Sequence, residues 1–274
     1  MTWGGIEAGG TKFVCAVAGD DGRILERTQF ATESPTPTLS NAIDFFRGHG
    51  KLEAIGIASF GPVDLKAGRI TSTPKPGWRN FAIAETVAEK LGVRVAFDTD
   101  VNAAALGEGK WGAARGLDTF LYLTVGTGIG GGAVAGGKLI HGLHHPEMGH
   151  VRVPHDGSFA GVCPFHGDCL EGLACGKAME QRCGQRAENL PVDHPVWQEE
   201  ARLLAHGLVN WICTLSPQLI IMGGGVMKQS ALFPALRLQV ANLLNGYVPI
   251  PDIVPPALGD DAGVLGAIAL CLPA

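Results

Sequence analysis

The apolar and polar positions fall into two similar series along the chain. The first, GGIEAGGTKFVCAVAGDDGRILERTQF, reads as a strand, a glycine turn, a β-rich strand over 13–19, a turn at Asp20-Asp21-Gly22 and a third strand. Near residue 119, TFLYLTVGTGIGGGAVAGGKLIHG gives strand, glycine turn, strand, Gly-Gly turn and strand again, and CAVAGDDGRIL aligns with GAVAGGKLI. Two buried runs follow, AIGIASFGPV (54–63) and QLIIMGGGVM (218–227), each preceded by a helix-like stretch at 37–47 and 195–214. In PVWQEEARLLAHGLVNWICTL the apolar residues recur at steps of three and four, the period of a half-buried helix. Each half therefore reads βββαβ with further helices. DVNAAALGEGKWG (100–112) is expected to form one of these, with Asp100 as its N-cap, and AGVLGAIALCL (262–272) closes the chain. Two such pairs in the same order predict a duplicated α/β protein with an interdomain cleft, where small-molecule sites tend to lie. The expected domains are 1–117, joined by the closing helix 261–274, and 118–260.

Composition narrows the function. The 274 residues are 46% hydrophobic and 17% charged, enough for sizeable cores. The net charge of −5 gives no electrostatic footprint for nucleic acid or an anionic membrane. No apolar stretch reaches the ~20 residues of a membrane span, and MTWGGIEAGG lacks the features of a signal peptide, so a cytoplasmic protein is expected. The seven cysteines are an odd number, and Cys163, Cys169, Cys175 and Cys183 lie close together, which reads as thiols or metal ligands in a reducing compartment.

The 40 glycines cluster beside apolar runs, where the backbone can approach a ligand closely. Three turns stand out: EAGGTK (7–12), TVGTGIGGG (124–132) and MGGGV (222–226). Backbone N–H groups of such turns form anion-binding concavities. Gly9, Gly10, Gly126, Gly128 and Gly130 are expected to clamp a polyphosphate from the two halves, with Gly223, Gly224 and Gly225 against a base or ribose. GTGIGG (126–131) also satisfies the dinucleotide fingerprint, but a strand rather than a helix follows it, so a Rossmann oxidoreductase is not expected. The P-loop pattern is absent.

IEAGGTK, DVNAAALGE, TVGTGIGGG, HPEMGH, CPFHGDCLEG and LGDDAGVLGAIAL together resemble the ROK family of bacterial sugar kinases, and within it the zinc-containing fructokinases. The resemblance implies an actin-like ATPase fold of two ribonuclease-H-like domains. It also implies ATP with Mg²⁺ as phosphoryl donor, a hexose as acceptor, and a homodimer. Fructose, phosphorylated at its 6-hydroxyl, is the leading substrate, with mannose, glucose or N-acetylmannosamine as alternatives. The family's sugar-sensing repressors carry an N-terminal helix-turn-helix. Here the first glycine turn begins at residue 7, so none is expected.

Cys163-x2-His166-x2-Cys169 is a compact set of soft donors, and His150 is a plausible fourth ligand, which suits tetrahedral Zn²⁺. The resemblance selects the same four. Spacing alone leaves His144, His145 and His155 as competitors for the fourth position. Four protein ligands leave no open coordination site, so the zinc is expected to be structural, bracing the loop that carries Glu147 and Glu171. The resemblance makes Glu147 and Glu171 sugar ligands, allows His150 a sugar contact, and makes Asp100 the general base. Thr99 stands where relatives often have a sugar-binding Asn. Glu7 replaces the Asp that often opens the first motif, and is expected near Mg²⁺ and phosphate with Thr11 and Lys12. KPGW (75–78) replaces the family's sugar-covering loop, with Trp78 as an expected sugar neighbour.

Overall fold

A computed structural model describes residues 1–73 and 75–272. In chain order its elements are β1 (Thr2–Ala8), β2 (Lys12–Gly19), β3 (Ile24–Ala31), α1 (Pro35–Arg47), β4 (Ala54–Ser59), β5 (Val63–Asp64), β6 (Arg69–Ile70), α2 (Ile83–Leu91), β7 (Arg94–Thr99) and α3 (Asp100–Trp111). They continue with β8 (Phe120–Val125), β9 (Ile129–Ala135), β10 (Lys138–Leu139), α4 (Leu170–Ala174), α5 (Gly176–Cys183), α6 (Val196–Leu215), β11 (Leu219–Gly223), α7 (Leu232–Leu244), β12 (Asp252–Val254) and α8 (Ala262–Ala269).

The chain divides into two compact units. The first comprises Met1–Gly116, His141–His145 and the residues from Ala257 onward; the second comprises Leu117–Ile140 and Pro146–Pro256. The main sheet of the first unit has the order β3-β2-β1-β4-β7, with β1 antiparallel to β2 and parallel to β4. That of the second has the order β10-β9-β8-β11-β12, with β8 antiparallel to β9 and parallel to β11. The same pairing pattern built from sequential elements is the duplication that the repeated strand series implied, in the ribonuclease-H-like arrangement that the resemblance implied.

In the first unit Ile6, Phe13, Leu39, Phe46, Ile55, Ile57 and Trp78 form the core. On another part of the sheet α8 packs so closely that a Cβ on Gly56 would lie 1.6 Å from the Ala267 carbonyl oxygen, so only glycine permits the approach. In the second unit α6 buries Leu203, Leu204, Leu208, Trp211 and Ile212 against the sheet and α7. Each large apolar side chain buried in this way stabilises the fold by roughly 1.5–3 kcal/mol.

The buried run expected over 54–63 stops as β4 at Ser59. Pro62 has no N–H to donate, and the chain turns before resuming as β5 at Val63. The run expected over 218–227 is likewise shorter, β11 ending at Gly223, the first residue of its glycine turn.

Candidate active site and metal centre

Residue Asp100 is the first residue of α3, placed there by the end of the edge strand β7. The expectation that it caps the helix is corrected: the N-cap is Thr99, whose Oγ1 accepts the Asn102 N–H at 3.1 Å. A hydroxyl two bonds from its backbone reaches the third N–H of the helix without strain. Thr99 is 3% exposed, and its hydroxyl oxygen accepts this capping bond. Asp100 Oδ1 accepts the Val101 N–H at 2.9 Å, and the helix N-terminus favours its negative charge.

Glu7 lies at the end of β1, beside the first glycine turn. Burial, reinforced by the negative charge of Asp100, pushes its carboxyl up to about 7, while Lys12 and Arg27 pull the other way. Its Oε2 is buried with no hydrogen-bond partner among the described residues. The turn is tight, with Gly9 N–H donating to Lys12 O at 3.0 Å and Thr32 Oγ1–H to Gly9 O at 2.7 Å. Gly10 is half-buried and Thr11 exposed.

Trp78 takes a different place from the one expected. It is 0% exposed, its indole N–H donates to Glu33 O at 2.7 Å, and its ring packs against Phe13, Phe60 and Phe81. It is a core residue of the first unit and offers no atom to a dissolved sugar.

In the second unit the turn from β8 to β9 is held from within and from below. Gly126 N–H donates to Gly128 O at 2.9 Å, and Gly176 N–H donates to Gly126 O at 2.7 Å. Ile129 N–H donates to Glu171 Oε2 at 2.9 Å. The Gly126 N–H is therefore spent inside the turn, contrary to its expected use on phosphate. A Cβ on Gly128 would sit 2.6 Å from Glu171 Oε2, so a side chain there would displace that carboxylate from the turn. Gly130 lies within β9, while Gly223 ends β11 buried and Gly225 is exposed after it.

The four predicted metal ligands converge. One donor atom from each of His150, Cys163, His166 and Cys169 lies within 4.8 Å of the others. His150 Nδ1 is 3.4 Å from Cys169 Sγ and 3.7 Å from Cys163 Sγ, and His166 Nδ1 is 3.6 Å from Cys163 Sγ. Zinc bonds of ~2.0–2.3 Å in a tetrahedron imply donor separations of about 3.3–3.8 Å, and these three separations fall in that range. The loop is closed by paired backbone bonds between Cys163 and Gly167, and by Leu170 N–H on Val151 O at 2.9 Å. The competitors are engaged elsewhere. His155 Nε2 meets Asp168 Oδ2 at 3.1 Å, His145 Nε2 accepts the Val63 N–H at 3.2 Å, and His144 Nδ1 meets the His145 carbonyl. Arg152 also pairs with Asp168, bracing the loop.

The His/Cys set also lies beside the two glutamates expected to bind sugar. With Nδ1 turned to the thiols, His150 Nε2 lies 3.9 Å from Glu147 Oε2 and 3.9 Å from Glu171 Oε1. One imidazole thus carries the ligand cluster on one edge and faces two carboxylates on the other.

Two further groups escaped the sequence reading. Asp98, buried at the end of β7, is bonded to His141, which lies 43 residues away. The local signal was a charged residue closing an apolar strand; nothing near it in sequence named its partner.

Comparison with known proteins gives a consistent picture. The ROK family model matches residues 3–273. A fructokinase from Lactococcus lactis subsp. cremoris is 43% identical, covering 91% of this chain and 87% of its own length. A fructokinase from Zymomonas mobilis subsp. mobilis is 43% identical, covering 99% and 97%. The crystal structure of a ROK family glucokinase from Streptomyces griseus, in complex with glucose and AMPPNP, superposes with a TM-score of 0.81 at 30% identity, covering 98% of this chain and 99% of that one.

Proposed function

Because the chain belongs to the ROK family, we propose that it is an ATP-dependent fructokinase, transferring the γ-phosphoryl group of ATP to the 6-hydroxyl of D-fructose. Identity to two fructokinases over at least 91% of this chain carries the reading.

In this reading Asp100 accepts the proton of the 6-hydroxyl as its oxygen attacks the γ-phosphorus. The new O–P bond forms, the bond to the β-phosphate oxygen breaks, and ADP leaves with that electron pair. Phosphoryl transfer depends chiefly on position and charge, so Asp100 acts mainly by aligning the oxygen. Glu147, Glu171 and the Nε2 edge of His150 accept or donate hydrogen bonds at the sugar hydroxyls. The separation of Glu147 and Glu171 from one shared imidazole supports their acting as a set. Thr99 serves through its cap and Trp78 through the core, so neither is assigned a sugar contact.

Gly9, Gly10, Thr11 and Lys12 of the first turn, Thr127 and Gly128 of the second, and Gly223–Gly225 are assigned to the nucleotide. Mg²⁺ bound with ATP would neutralise phosphate charge; Glu7 Oε2, buried and without a partner among the described residues, suits a place beside it. His150, Cys163, His166 and Cys169 would hold a Zn²⁺ ion, whose role there would be to fix the loop. We expect a cytoplasmic homodimer, checked by light scattering; among the described residues no helix is long and apolar enough to cross a membrane.

The deciding experiment is turnover on fructose, mannose, glucose and N-acetylmannosamine, with and without ATP and Mg²⁺, read by coupled ADP detection. Fructose is expected to be the best acceptor. Activity on glucose or N-acetylmannosamine with none on fructose would refute the assignment.

A further inference from the structure

The turn that carries Asp100 contains a second carboxylate with no role in the reaction described above. Asp98 is 4% exposed. Its Oδ1 accepts the Thr99 N–H at 2.7 Å and an Asn102 Nδ2–H at 2.8 Å. Its Oδ2 meets His141 Nε2 at 2.8 Å. An ionised carboxylate can only accept, so the facing imidazole nitrogen carries its proton and donates. Asn102 Nδ2 lies 3.2 Å from that nitrogen; with the Nε2 proton directed at Asp98 both are donors, so Asp98 is the acceptor that the other two side chains share.

The Oδ1 bonds of Asp98 hold Thr99 and Asn102, the residues that flank Asp100 at the start of the helix. The orientation of the Asp98 carboxylate therefore constrains the backbone from which Asp100 projects. Two donors on Oδ1 alone leave the carboxylate free to rotate about its side-chain bonds; the His141 bond on Oδ2 fixes its plane. General-base catalysis needs the acceptor within ~2.6–3.2 Å of the proton-bearing atom. A displacement of ~1 Å costs on the order of 10²-fold in rate.

We infer that Asp98 and His141 form a positioning pair that aims Asp100 at the acceptor hydroxyl. The inference rests on the hexose-kinase reading above. Neither residue exchanges a proton with substrate: the hydroxyl proton goes to Asp100, and the Nε2 proton stays on His141. The rival role is a simple pin. His145 Nε2 also accepts the Val63 N–H, so the 141–145 segment is fastened at both ends within the first unit. A pin moves stability without acting through Asp100.

A double-mutant cycle separates the two. Wild type, His141→Leu, Asp100→Ala and the double variant are compared for kcat, for KM of fructose and of ATP, and for Tm. His141→Leu is expected to lower kcat roughly 10–100-fold while KM for ATP changes less than about twofold. In the Asp100→Ala background the same change costs no more than about twofold, because the group it positions is gone. His141→Gln, whose amide N–H can donate to Asp98, recovers kcat to within about threefold of wild type. The inference is overturned if the two losses multiply, if the Gln and Leu variants are equally impaired, or if His141→Leu keeps wild-type kcat. Should His141→Leu not fold, Asp98→Asn takes its place in the cycle with the same expected and overturning outcomes. Wild-type turnover is measured first: absence of hexose phosphorylation removes the kinase reading and the pair together. An active wild type with uncoupled variants removes the pair alone.

Discussion

The two units present equivalent glycine turns, between β1 and β2 and between β8 and β9, and each turn has a glutamate beside it. The glutamates differ in state. Glu171 gives Oε2 to the Ile129 N–H, so it is part of the turn it borders. Glu7 keeps a buried oxygen with no partner among the described residues, and burial raises its pKa to about 7. A satisfied carboxylate stabilises its surroundings. An unsatisfied one costs the fold free energy and persists where a ligand supplies the missing contact. The duplicated fold thus yields one turn that is braced and one that is poised.

Changes on the poised side should act mainly on turnover. Asp100→Asn is expected to show the largest effect, a fall in kcat of roughly 10²–10⁴-fold with little change in Tm, measured by coupled ADP release. Wild-type kcat in that variant would detach chemistry from the first unit's turn. On the braced side, Cys169→Ala should lose zinc, read by metal analysis. Its KM for fructose should rise by roughly 10–100-fold, the scale on which supports of a metal site act. A metal-free variant with an unchanged KM would contradict the scaffold role.

The sharpest contrast comes from matched substitutions. Glu171→Gln should lower Tm by about 2–4 °C, since a charge-assisted bond to the turn is replaced by a neutral one worth roughly 1 kcal/mol less. Glu7→Gln should leave Tm unchanged or raise it while KM for ATP increases. Equal falls in Tm for both variants would erase the distinction between braced and poised.

The smallest expected effect is a pH dependence in the second unit's core. Glu200 is fully buried, and that burial raises its pKa to about 8 against the opposing pull of Arg182, 3.5 Å away. A carboxyl with a raised folded pKa is most favourable below its unfolded value. Its contribution is lost as pH rises through about 8. Glu200→Gln should therefore match wild type near pH 5 and exceed its Tm by about 2–4 °C at pH 9, seen by calorimetry. Parallel Tm curves for the two proteins would exclude the buried carboxyl as the source.

Much of this was legible because it is local. Strand-turn-strand periodicity marked β1–β3 and β8–β10. The three- and four-residue spacing marked α6 within one residue at each end. The C-x2-H-x2-C spacing marked three ligands within one turn-rich loop. Reading failed where the outcome depended on a competition. Asp100 and Thr99 are both good caps, and the dihedrals at the end of β7 gave the role to Thr99. Trp78 follows a glycine in a loop, as an exposed sugar platform could, but Phe13, Phe60 and Phe81 offered it a core.

The sequence by itself determined the repeated element order, the family, and the donor types available for zinc and for hexose hydroxyls, because periodicity and short spacings are properties of neighbouring residues. Spacing alone left the fourth member of the His/Cys set open and the tertiary structure brings His150 to it; the tertiary structure alone decided that Glu171 bonds the turn at Ile129 and that His141 reaches Asp98. Those choices join residues 13–43 positions apart, and only packing of the chain into sheets determines which polar groups end up close enough to bond.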